Sequence, residues 1–213
     1  MLTQFINSMT LTIRNILLVL SCSIFLSACS TTSPEIKNSA PVAPQAQADY
    51  TRAVLAMKAG QTRRAFKLFN SINKKYPGFS GPQLNIGLLH LKFNRMKKAE
   101  NAFKRAIHIN RDNAVAYNLL GVVYRRTGKF TEAKEAYQQA LSKNSKYANA
   151  HLNLGILYDL YMNDINQALH HYEQYITHHG TADKKVSNWI IDLKRRAKTK
   201  HSSINTQLKG KLG

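Results

Sequence analysis

Between about residue 47 and residue 198, apolar side chains recur at i, i+3, i+4 and i+7, the spacing that gathers them on one face of a helix. Polar breaks interrupt this pattern at a fixed interval. Gly87, Gly121 and Gly155 lie 34 residues apart, with Ala53 in the same place one interval earlier. Their contexts match: Leu84-Asn85-Ile86-Gly87, Asn118-Leu119-Leu120-Gly121 and Leu152-Asn153-Leu154-Gly155. Ala65, Ala99, Ala133 and Ala168 form a second series, and Phe69, Phe103, Tyr137 and Tyr172 a third. The pattern predicts four units of two amphipathic helices each over about residues 47–179. Gly60, Asn94 and Gly128 stand where the first helix of a unit must stop, and both residue types tolerate the left-handed conformation of a helix cap. In the fourth unit Tyr161-Met162-Asn163-Asp164-Ile165-Asn166 replaces the short turn, and Ala168 arrives one residue late, so a longer loop is expected there. Val186, Trp189, Ile190 and Leu193 then predict a capping helix from about Asp183 to Lys198, with Trp189 covering the last unit. Residues 199–213, basic and rich in Ser, Thr and Gly, read as a disordered tail.

A 34-residue period with small and aromatic residues at these places resembles the tetratricopeptide repeat (TPR) family. The best copy is Tyr117-x2-Leu120-Gly121-x2-Tyr124-x3-Gly128-x4-Ala133-x3-Tyr137-x2-Ala140. The resemblance implies an all-α, right-handed superhelix of about four helix-turn-helix repeats plus a C-terminal capping helix, over residues 47–198. It further implies that the first helices line a groove that binds peptides. The groove positions fall at Leu84, Asn85, Leu88, Leu91 and Lys92, at Asn118, Leu119, Val122, Arg125 and Arg126, and at Leu152, Asn153, Ile156, Asp159 and Leu160. This lining is apolar, with an Asn in each repeat able to donate to and accept from a peptide backbone. Its apolar members also suit plain inter-repeat core, and the set is unlike the Lys/Asn clamp by which chaperone-binding TPRs hold a terminal carboxylate.

The N-terminus has a different pattern. Arg14 precedes a short apolar run, Ile16 to Leu26, that exits through small residues, the layout of a secretory signal. The run is shorter than the ~20 residues a membrane span needs. Met9 to Cys29 alone would make a compact signal, and Met9 is a candidate start. Leu26-Ser27-Ala28-Cys29 resembles the bacterial lipobox. That resemblance implies a signal peptide over residues 1–28, cleavage before Cys29, lipidation of its thiol and new amine, and, with Ser30 following, an outer-membrane anchor facing the periplasm. Three acyl chains anchor stably where one is marginal. Residues 29–46, with Pro34, Pro41 and Pro44 and no apolar periodicity, read as a flexible tether.

Charge then narrows the choice of partner. The chain has 31 Lys and Arg against 11 Asp and Glu, a net +20, and cleavage would remove only Arg14 to leave +19. Such charge points to an anionic counterpart. Nucleic acid is disfavoured by the export signal and by aromatics that sit in the repeat core instead of among the basic doublets. An anionic envelope surface or an acidic protein remains. With two Cys there is no disulfide scaffold and no four-cysteine zinc site. His170-His171 and His178-His179 invite a metal reading, but neighbours on a helix diverge by about 100° and no carboxylate or Cys completes a ligand set. No nucleophile, base and oxyanion constellation is visible. The sequence therefore predicts no enzyme, metal or cofactor.

Lipobox, tether and a few TPRs together resemble TPR lipoproteins: the pilotins of type IV pilus secretins, those of Flp/Tad pili, and NlpI-type adaptors. The resemblance implies a scaffold in envelope assembly, with envelope proteins in the groove and the membrane holding the lipid on Cys29. Two alternatives are an accessory of a TonB/ExbB/ExbD-type energy-transducing system and a metal-binding or enzymatic protein using the His-rich fourth repeat.

Overall fold

The computed structural model describes the backbone of residues 43–212 and the side chains of residues 43–199. The expected signal peptide, Cys29 and the tether as far as residue 42 lie outside this range. Among the described residues the chain forms nine α-helices and no strand. They are α1 (Pro44–Lys58), α2 (Thr62–Lys75), α3 (Gly81–Lys92), α4 (Met96–Ile109), α5 (Ala114–Arg126), α6 (Phe130–Lys143), α7 (Ala148–Leu157), α8 (Ile165–His179) and α9 (Lys184–Leu212). A π-helical turn, Tyr158–Met162, extends α7. Helices pair as α1–α2, α3–α4, α5–α6 and α7–α8, and each second helix packs on the first helix of the next pair. This is the all-α repeat superhelix that the resemblance implies.

The series of small and aromatic residues does the packing. Phe69, Phe103, Tyr137 and Tyr172 are buried, as are Ala65, Ala99, Ala133 and Ala168. Each ring lies on the small residue of its own repeat: a methyl group added at Gly121 would fall 2.5 Å from the Tyr137 ring, well inside van der Waals contact. The same ring reaches the following repeat, so that Phe103 shares a cluster with Leu120 and Val123, and Tyr137 with Leu154 and Leu157. Truncating such a ring costs about 3–5 kcal/mol. The stops are also as predicted, with positive φ at Gly60 (72°), Asn94 (55°) and Gly128 (76°).

Three boundaries differ from expectation. Helix α1 begins at Pro44, inside the stretch 29–46 assigned to the tether, and Ala46 is buried. Proline suits the first helical position because its missing N–H has no partner there in any case; alanine packing carries no apolar periodicity. The fourth repeat has no longer loop. Its extra residue is absorbed inside the helix as the π-helical turn, which accommodates one residue more than α geometry. The stop moves one place to Asn163 (φ 54°). The N–H of Asp164 accordingly reaches back six residues to Tyr158 (3.0 Å), where that of Lys129 reaches five to Tyr124. Finally, α9 continues to Leu212, so the backbone of the expected disordered tail 199–212 is helical. No proline interrupts it, and its Lys, Gln and Leu residues favour helix.

Candidate functional site

A 34-residue period brings equivalent residues of successive first helices side by side. First helices touch directly, α1 with α3 and α5 with α7, whereas no two second helices make contact of that extent among the described residues. The first helices thus line the inside of the curve. Along this face Leu88, Val122 and Ile156 recur at one register position and are half-buried, as is Val54 in the first repeat. Leu84, Leu91 and Leu119 are half-buried too, packed with Leu88 on the Phe103–Val123 cluster, while Leu152 and Ile156 back onto the last cluster. Each of these side chains therefore serves the inter-repeat core and leaves part of its surface facing the groove. Val54, Tyr50 and Lys58 were absent from the predicted lining, yet subtracting 34 from Leu88, Leu84 and Lys92 finds them.

The asparagines correct the sequence reading. Asn85 and Asn118 are buried. Asn85 donates to the Tyr50 hydroxyl and to the Gly81 carbonyl, which engages both of its N–H groups. Asn153 donates to Asn118 Oδ1 at 2.9 Å. Both side-chain bonds join a residue of one repeat to the residue 35 positions later in the next. At the junction between repeats two and three the equivalent residues are Leu84 and Leu119. The asparagines expected to grip a peptide instead zip the repeats together, and only Asn153 stays half-exposed.

Polar residues at the C-terminal ends of the first helices differ in availability. Lys92 and Arg126 are exposed, and Arg126 donates to Asn94 Oδ1 at 3.1 Å. Arg125 is half-buried and donates to the Tyr137 hydroxyl at 3.4 Å. Asp159 is bound to Arg196 of the capping helix and is not free for a ligand. Leu160, in the π turn, is 67% exposed. Trp189 packs on Tyr172 with ring centroids 5.5 Å apart, covering the last repeat as predicted.

The histidines of the fourth repeat form a neutral pair. His151 Nε2 faces the Ser145 carbonyl at 3.0 Å, and a carbonyl only accepts, so Nε2 carries the proton. Neutral His151 then accepts through Nδ1 from His171 Nδ1–H, also at 3.0 Å. Burial, and then the neighbouring His151 and His170, hold the His171 imidazole down at about 4. Burial likewise lowers His151. Among the described residues no group of three or more His, Cys, Asp and Glu side chains is disposed to hold a metal ion.

Two family models described as tetratricopeptide repeat match residues 56–122 and 112–178. No curated protein gives a significant match. Among solved structures, PilF of Pseudomonas aeruginosa superposes with a TM-score of 0.65 at 17% identity, covering 72% of this chain and 69% of that one. TTC0263, a thermophilic TPR protein of Thermus thermophilus, gives 0.57 at 19% identity over 71% and 82% of the two chains. The first TPR of Spaghetti (RPAP3), bound to an HSP90 peptide, gives 0.52 at 16% identity over 55% and 94%. At these identities the likeness is one of fold. With family matches running from residue 56 to residue 178 over helices in the register the period demands, the chain belongs to the tetratricopeptide repeat family.

Proposed function

We propose that this chain is a lipid-anchored, periplasm-facing TPR scaffold that gathers protein partners during assembly of an envelope complex, such as a pilus or a secretin. The observation that carries the reading is the row Val54, Leu88, Val122 and Ile156. It is an apolar floor left half-open on the inner face of the superhelix, with polar groups at its edge. An apolar groove with a few placed polar groups is a form that peptide-binding sites take. The RPAP3 repeat, which holds a peptide on the same fold, is consistent with this use. Location rests on the sequence Leu26-Ser27-Ala28-Cys29 behind a short apolar run. The groove supplies surface and not bond chemistry, so the role is one of binding.

Cys29→Ser tests the anchor. It should abolish labelling by a palmitate analogue and release the chain from the membrane fraction into the soluble periplasm. Persistent membrane association of the variant in high salt would refute lipid anchoring. Cross-linking in envelope fractions should recover a pilus or secretin component with the parent chain; recovery of transport-motor components alone would assign it instead to an energy-transducing system.

A further inference from the structure

Lys58, Lys92 and Arg126 are the last residues of α1, α3 and α5. They lie 34 residues apart and so hold one register position in three successive repeats. Each stands one helical turn beyond a half-buried apolar residue, Val54, Leu88 or Val122, and side chains at i and i+4 share a face. All three are exposed, and among the described residues none is within ion-pair distance of a carboxylate. A cation in the last turn complements the helix dipole, and among the described residues most Lys and Arg have no carboxylate partner; what sets these three apart is their shared register one turn beyond the half-buried apolar row. Of the ten carboxylates among the described residues, eight are engaged elsewhere, and the other two, Glu132 and Glu135, stand on the second helix α6. Asp49, Glu100, Asp112, Asp159, Glu173 and Asp192 form ion pairs. Asp164 and Asp183 accept from backbone N–H groups at the starts of α8 and α9.

We propose that this row is a docking rail for an acidic segment of a partner protein, whose apolar side chains rest on Val54, Leu88 and Val122 while its carboxylates meet Lys58, Lys92 and Arg126. The proposal rests on the groove reading above and names the chemistry of its occupant. A second copy of the chain is a poor occupant, because each copy carries +20. A bilayer is a poor one too, because a row on the inside of a curve cannot lie flat against headgroups. α1 and α3 are in direct contact, and packed helices sit about 10 Å apart, while an extended polyproline-type strand advances about 9 Å per three-residue turn. A segment crossing α1 and α3 in that form meets one apolar position and one cation per turn, so it carries an apolar and an acidic residue in each triplet.

The test measures binding of the full chain to fluorescein-labelled Leu-Glu-Ser repeat peptide, to its Leu-Lys-Ser counterpart, and to phosphatidylglycerol vesicles. The acidic peptide should bind and the basic one should not. Lys58→Glu/Lys92→Glu/Arg126→Glu should weaken the acidic peptide by about tenfold or more, since three rim attractions become repulsions. Arg63→Glu/Lys67→Glu/Lys74→Glu makes the same charge change at exposed positions of α2 and should leave affinity little changed. Circular dichroism checks that both variants stay helical. Equal losses in the two triple variants would overturn the proposal in favour of net charge alone. Vesicle binding that depends on the rail, without peptide binding, would overturn it in favour of lipid. Leu88→Glu/Val122→Glu separates the layers: if it abolishes peptide binding while the rail variant does not, the groove stands and the rail falls; if neither variant affects binding, both fall.

Discussion

At the scale of single residues, the two side-chain bonds between repeats matter most. Tyr50–Asn85 and Asn118–Asn153 place polar pairs at the first and third junctions, where Leu84 and Leu119 make the second one apolar. A buried polar group that loses its partner bears its whole desolvation cost, whereas replacing both partners by apolar groups can be nearly neutral. Asn153→Ala should therefore destabilise by about 1–3 kcal/mol by leaving Asn118 Oδ1 without its donor. Asn118→Leu/Asn153→Leu, which copies the second junction, should recover most of that loss in a denaturant titration. A double variant no better than the single one would show that the hydrogen bond is not what holds the junction. The register revealed that these residues share a face. It did not reveal that the groove-facing Asn of one repeat opposes a residue of its neighbour closely enough to bond, because that depends on how near the first helices approach. Asn85 and Asn118 therefore changed from ligand contacts to internal ones.

Among the elements, helix order and caps were legible because each depends on a residue type that little else explains. Gly60, Asn94 and Gly128 announce left-handed stops, whereas the ring lying on each of Gly87, Gly121 and Gly155 is seen only in the structure. The extra residue of the fourth repeat was visible, but its location was not. A loop and a helix can both absorb one residue, and here the helix does so through its π turn. The start of α1 was missed because alanines, not large apolar residues, carry its packing. The same fourth repeat makes a prediction about pH. His171 is held near 4, below its ordinary 6.5, so the folded state favours the neutral ring. Its contribution is complete above pH 6.5 and is lost as pH falls from there toward 4, with His151 adding in the same direction. Thermal melting should begin to fall near pH 6.5, before the carboxylates titrate. His171→Asn keeps a donor for His151 and should flatten the decline. An unchanged acid limb in the variant would place the titration elsewhere.

For the whole molecule, a repeat array leaves its inner face to the partner. Side chains that face a partner answer to that partner as well as to the fold, so their identities carried little warning in the sequence beyond periodicity. Charge was different: +20 was legible at once, and among the described residues eight of the ten carboxylates are engaged elsewhere while the ends of α1, α3 and α5 stand without counter-charge. The central claim is that the inner face of the first helices captures a protein partner. The most direct measurement is cross-linked capture from envelope fractions with the parent chain and with Leu88→Glu/Val122→Glu, each checked for helical content. The parent should retain its partner, and the variant should lose it at unchanged helicity. Capture that survives both substitutions in a folded variant would contradict the claim.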